Sequence, residues 1–131
     1  MKKLILLLIF FVTFTSFATN ITEKNIDYYS NGNVKTKLFK YEEYSTLVKY
    51  YETGKIQEIG YFDLSGNKTG HWLSFYDNGR MMSEANFKNG RKHGEWKSYD
   101  TNGKMIVFIK YKRGQKILGC LVNDKNELVV R

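Results

Sequence analysis

Eight side chains have types and spacings that could do chemistry: His71, His93, Glu58, Glu84, Cys120, and the basic group of Lys55, Arg80 and Lys104. Two histidines could hold a metal ion or move a proton near neutral pH. Within the internal repeat described below, however, His71 aligns with Glu95 and His93 with Thr69. The repeat therefore does not present them as a pair, and both are expected to be exposed turn residues. Glu58 and Glu84 fall in neighbouring columns of the same repeat. A carboxylate dyad needs both groups at one site, and this spacing does not bring them there. Cys120 is the only cysteine, so it cannot form an intramolecular disulfide and is expected as a buried thiol. The sequence contains no Gly-x-Ser-x-Gly elbow, paired-cysteine metal motif or phosphate loop. The expectation is a non-enzymatic chain with no cofactor and no metal.

The basic residues suggest binding. Lys55, Arg80 and Lys104 each follow a glycine at the repeat interval, which would set them in a row along one edge of a stacked structure. Such a row could engage phosphates or acidic groups, with binding that weakens as salt rises. It would also discourage edge-to-edge aggregation. Lys68, Arg91, Lys92 and Lys116 mark the opposite edge. Trp72, Trp96, Phe75 and Tyr99 form a second candidate surface, since large amphipathic rings are favoured at protein interfaces. Most of these rings are expected to serve packing.

The elements that would position these residues come from a repeat marked by glycine. "YYETGKIQEIGYFDLSGNKTGHWLS", "FYDNGRMMSEANFKNGRKHGEWKS" and "YDTNGKMIVFIKYKRGQKILGCLV" superpose with a one-residue insertion in the first and another late in the third. Gly54, Gly79 and Gly103 share a column, joined by Gly32; Gly66, Gly90 and Gly114 share a second; Gly70, Gly94 and Gly119 share a third. Pairs such as Asn-Gly, Thr-Gly and Arg-Gly supply the positive φ of tight hairpin turns. Between them the residues alternate with period two, as in Met81, Ser83, Ala85 and Phe87 against Met82, Glu84 and Asn86, which predicts strands. Ile56, Met81 and Met105 form one apolar column; Phe62, Phe87 and Tyr111 another; Trp72, Trp96 and Leu121 a third; Tyr50, Phe75 and Tyr99 a fourth. Each unit stacks on its neighbours because none covers its apolar side alone. Trp96 and Tyr99 lie three apart, so either both faces of their strand are partly covered or a bulge turns the strand between them. The units run over residues 28–49, 50–74, 75–98 and 99–122, followed by a C-terminal cap.

Residues 1–18, "MKKLILLLIFFVTFTSFA", read as a secretory signal: two lysines, an apolar run and a small-residue ending. Cleavage is expected after Ala18, leaving one domain over residues 19–131 in the periplasm or outside the cell. The apolar run is shorter than the roughly 20 residues of a membrane-spanning helix. Loss of Lys2 and Lys3 lowers the formal charge from +8 to +6. That excess favours anionic surfaces and also keeps a β-rich chain soluble. Nucleic acid is not an expected partner of an exported protein.

The phrases "YYETGKIQEIGYF", "FYDNGRMMSEANFKNGRKHGEWKSY" and "NGKMIVFIKYKRG" resemble the bacterial variant of the MORN repeat, whose pattern is an aromatic pair, a polar-Asn-Gly-Lys turn, a strand, an aromatic, Lys-Asn-Gly and Gly-x-Trp. The resemblance spans residues 28–122. It implies an all-β fold: an elongated, twisted antiparallel sheet of successive β-hairpins. It also implies an interaction or scaffolding module, sometimes membrane-associated and in some relatives labelled antitoxin-like, so that an inhibitor or immunity protein occluding a toxin or enzyme is the alternative. The expected partner is a protein, with an anionic membrane or envelope polymer as the other possibility. Leu121 in place of tryptophan and Val107-Phe108 in place of Ser-Glu depart from the pattern.

Overall fold

The computed structural model describes residues 21–123, 125 and 127–130. The leader read over residues 1–18 lies outside them. The strands are β1 Glu23–Tyr28, β2 Val34–Lys40, β3 Tyr44–Tyr50, β4 Ile56–Asp63, β5 Lys68–Phe75, β6 Met81–Lys88, β7 Arg91–Lys92, β8 Gly94–Tyr99, β9 Met105–Lys112, β10 Gln115–Val122 and β11 Leu128–Val130. They form one open antiparallel sheet whose strand order follows chain order, except that β7 pairs only with β6 before β8 takes over. The expected all-β architecture of successive hairpins is thus the observed one, and no helix occurs among the described residues. Strands spaced about 4.8 Å apart make the sheet longer across its strands than along them.

The four turns at the first glycine column share one geometry. In each, an N–H and a carbonyl close a five-residue loop: Tyr29 to Asn33, Tyr51 to Lys55, Tyr76 to Arg80, and Asp100 to Lys104, at 2.8 Å each. The glycine sits fourth in the loop with φ between 83° and 88°, a region that side chains with a β-carbon rarely adopt. Asx contacts tighten the loops, as where Asn78 Oδ1 accepts from the Arg80 N–H and Asp100 Oδ1 from the Lys104 N–H, both at 2.9 Å. At the second column the turns differ. Asp63 to Asn67 forms another five-residue loop, which accounts for the insertion read in the sequence. Lys88 pairs with Arg91, and Lys112 with Gln115, across the two-residue turns Asn89-Gly90 and Arg113-Gly114, whose residues all have positive φ. That is the signature of a type I′ hairpin.

The register answers the question raised by Trp96 and Tyr99. It slips by one residue beside Tyr28, Tyr50, Phe75 and Tyr99, so that Lys35, Gln57, Met82 and Ile106 are the extra residues of four equivalent bulges. Tyr99 nonetheless lies on the face of Glu84, to which its hydroxyl donates, whereas Trp96 lies on the other face beside Phe87 and Tyr111. Both conditions hold at once: each repeat is bulged, and both faces are partly covered.

The core is a single row crossing the sheet. Leu38 pairs with Leu47, Leu47 with Gly60, Trp72 with Ala85, Trp96 with Ile109, and Ile109 with Gly119. Gly60 lies beside Trp72, where a β-carbon would overlap the indole. From Gly60 through Trp72 and Ala85 to Trp96, small and large side chains therefore alternate, so a one-layer sheet can bury an indole between neighbours. Trp72 is 3% exposed, Ala85 8% and Cys120 5%, and these are the buried hydrophobic residues among those described. Cys120 is a free, buried thiol, as expected. One column needs correction in the last repeat. Gly119, not Leu121, takes the row position of Trp72 and Trp96, and it lacks the positive φ of Gly70 and Gly94. The reason is space: Ile109 stands where the earlier repeats have Gly60 and Ala85, and the Lys116 side chain fills the place a β-carbon would take at Gly119.

Candidate functional site

The first-column turns carry the row of Lys55, Arg80 and Lys104 on one edge of the sheet. Lys55 Nζ donates to the Asp77 carbonyl at 2.7 Å, and Arg80 Nη1 donates to the Thr101 carbonyl at 2.9 Å. Each therefore reaches the turn of the next unit and ties successive turns together. Lys104, next to the last such turn, lines a depression with Asn102, Met105 and Val122. Part of the donor capacity of Lys55 and Arg80 is used within the protein, while an ammonium and a guanidinium each keep further N–H groups for a ligand.

The aromatic residues divide between the faces. On one, Phe62, Trp72, Phe87, Trp96 and Tyr111 form a continuous chain of edge-to-face contacts with ring centroids 5.2, 6.1, 5.1 and 5.3 Å apart. Lys68 lies 3.7 Å from the Trp72 ring centre and Lys92 lies 4.5 Å from that of Trp96. These cation–π contacts explain why basic residues recur at this column. They roof the indoles with methylenes and leave the charge outside. The indole N–H groups are satisfied too: Trp72 donates to the Tyr61 carbonyl at 3.1 Å and Trp96 to the Asn86 carbonyl at 2.9 Å. Trp72 is thus a packing residue, and Trp96 is half-buried. Phase alternation puts Phe75 and Tyr99 toward the other face. Tyr99 donates to Glu84 Oε1 at 2.5 Å, and its phenol is pushed up to about 12, first by loss of solvent, then by the Glu84 hydrogen bond and charge.

The residues considered for acid–base or metal chemistry do not converge. Glu58 pairs with Ser74 and Glu84 with Leu73, adjacent residues of β5, so the two carboxylates leave the sheet on opposite faces. His71 lies opposite Asn86, and the His93 N–H donates to the Asn86 carbonyl from the other side, two strands away. No group of three metal-ligating side chains occurs among the described residues.

Three hydroxyls that tie the repeats together escaped the sequence reading. Tyr29 donates to the Tyr50 carbonyl, Tyr51 to that of Phe75, and Tyr76 to that of Tyr99, at 2.7, 2.7 and 2.8 Å. Each tyrosine crosses to the residue facing the bulge of the following repeat and donates to its carbonyl. The signal was present in the second aromatic of "YYS", "YYE" and "FYD". The series stops at Asp100, whose carboxylate instead caps its own turn.

Comparison with known families places this geometry. Residues 46–64, 68–89 and 92–112 each match the MORN repeat variant. Each match is one hairpin with the first-column glycine at its centre, half a unit out of phase with the divisions drawn at the aromatic pairs. A search of curated proteins found no match for the chain. With the glycine turns, bulges and stacked rings recurring in step with these three stretches, residues 46–112 are an array of MORN repeat variants and belong to that family.

Proposed function

We propose that this chain is a non-enzymatic binding or scaffold protein whose sheet docks on a partner protein, and that it acts after export, in the cell envelope or outside the cell. The observation that carries the reading is the single layer. Sheets are stable when each apolar face packs on a second layer; here Trp72, Ala85 and Cys120 are the buried hydrophobic residues among those described, while Ile56, Tyr61, Ile106 and Leu118 stay between 37% and 39% exposed. Hydrogen bonds and cation–π contacts between repeats hold the rings in place before any partner arrives, which lowers the ordering cost of association. Export is supported by the signal-like residues 1–18. The MORN repeats support a binding role over catalysis.

Affinity capture of the tagged protein from native cells, fractionated into cytoplasm, envelope and medium and read by mass spectrometry, tests both parts. The expected result is the processed chain in the envelope or medium with a partner protein in near-equal amount. Recovery in the cytoplasm would overturn the export reading. Recovery from every fraction without a stoichiometric protein would overturn the scaffold reading.

A further inference from the structure

A basic cleft lies on the edge opposite Lys55 and Arg80. The Asn89-Gly90 and Arg113-Gly114 turns sit side by side there, because the Gly114 N–H donates to the Lys92 carbonyl at 2.8 Å. Between them is an open cleft of about 610 Å³ lined by Lys88, Asn89, Arg91, His93, Lys112 and Arg113. Four of these six side chains are cationic and none is a carboxylate. Neither ion pair among the described residues, Lys40–Glu23 and Lys97–Glu95, involves them. Nor do they roof the aromatic chain, which is the role of Lys68 and Lys92.

The hairpin geometry does not require this charge. Where this turn carries Lys88, Arg91 and His93, the preceding repeat carries Asp63, Asn67 and Thr69. There Asp63 Oδ1 caps its own loop by accepting from the Ser65 and Asn67 N–H groups, at 3.0 and 2.9 Å. Arg113 takes φ 51°, a left-handed position that asparagine or glycine fills at lower cost. The repeat thus gives way to a cationic residue at several neighbouring positions in one place. Four like charges around one cleft repel in the free protein, and a multivalent anion relieves that repulsion.

We propose that this cleft binds a multiply charged oxyanion of the phosphate type. Arg91 and Arg113 supply planar forks that match such oxygens, and Lys88 and Lys112 supply charge. The volume falls within the range of small-ligand sites. The site lies at the turn edge, so it leaves both sheet faces free and does not depend on the partner-docking reading.

Calorimetry with sodium pyrophosphate, on the wild type and on the Arg91→Gln/Arg113→Gln double variant, tests the site. A Lys24→Gln/Lys35→Gln variant of equal charge, on the first two strands and away from the cleft, is the control. All four positions are exposed, and thermal melting verifies that each variant is folded. The expected result is salt-sensitive binding that weakens about tenfold or more in the first variant, as the loss of charge-assisted hydrogen bonds requires, with little change in the control. Co-sedimentation with phosphatidylcholine vesicles containing phosphatidic acid distinguishes the sources. Vesicle binding lost in the same variant and displaced by pyrophosphate marks a lipid headgroup, whereas pyrophosphate binding alone marks a soluble phosphate. Absence of both kinds of binding, or equal losses in the two double variants, would overturn the proposal.

Discussion

Gly60 and Trp72 show at the scale of single residues how a one-layer sheet makes a core. The indole occupies the space where a β-carbon would stand at Gly60, and Phe62 and Phe87 meet its edges. We predict that Gly60→Ala destabilises the protein by about 1–3 kcal/mol, the usual cost of overpacking, measured by urea unfolding. A loss below a few tenths of a kcal/mol would show that the indole swings aside freely. Tyr99 gives a pH dependence of defined sign. Burial and Glu84 raise its folded value from 10.0 to about 12, so the folded state holds the phenol proton more tightly than the unfolded chain. Its contribution to stability is complete below pH about 10 and is lost as pH rises toward 12. Absorbance titration of the tyrosines should show a late step that disappears in Tyr99→Phe; an unchanged titration curve would contradict the assignment.

At the scale of elements, the bulge and the tyrosine that serves it form one device. Tyr51 and Tyr76 each donate to a carbonyl beside the bulge of the next hairpin. Tyr51→Phe and Tyr76→Phe should each cost about 1 kcal/mol, the usual worth of a hydrogen bond to a part-buried carbonyl. Tyr28→Phe should cost nothing measurable, since Tyr28 is 59% exposed. Equal effects at all three positions in thermal melts would count against the device. The hairpins themselves were legible in the sequence, because positive-φ turns demand glycine and alternation follows from the pleat. The bulges were not, since an extra residue such as Met82 or Ile106 leaves the local pattern of apolar side chains intact and shows only in the pairing. Gly119 misled for a related reason. A glycine whose missing β-carbon leaves room for the Lys116 side chain reads the same, in a string of letters, as one that turns the chain. The row of Lys55 and Arg80 was readable from its interval, but the carbonyls of Asp77 and Thr101 that receive it were not, because backbone acceptors carry no sequence signature.

At the scale of the whole molecule, each repeat touches its sequence neighbours and little else, so stability is expected to build from unit and interface contributions along the sheet. The turns at the first glycine column recur in all four described instances, which makes them the common element of the array. Gly79 and Gly103 have φ 83° and 88°, with open space where a β-carbon would point. A side chain there acts through backbone conformation alone, at about 1–2 kcal/mol per residue in the left-handed region. The most direct measurement is the thermal melt of the Gly79→Val/Gly103→Val double variant, followed by far-ultraviolet circular dichroism. A ladder of glycine-cornered hairpins predicts a wild-type-like β spectrum at low temperature and a midpoint lower by about 8 °C or more. An unchanged midpoint, or a wild-type spectrum dominated by helix, would contradict it.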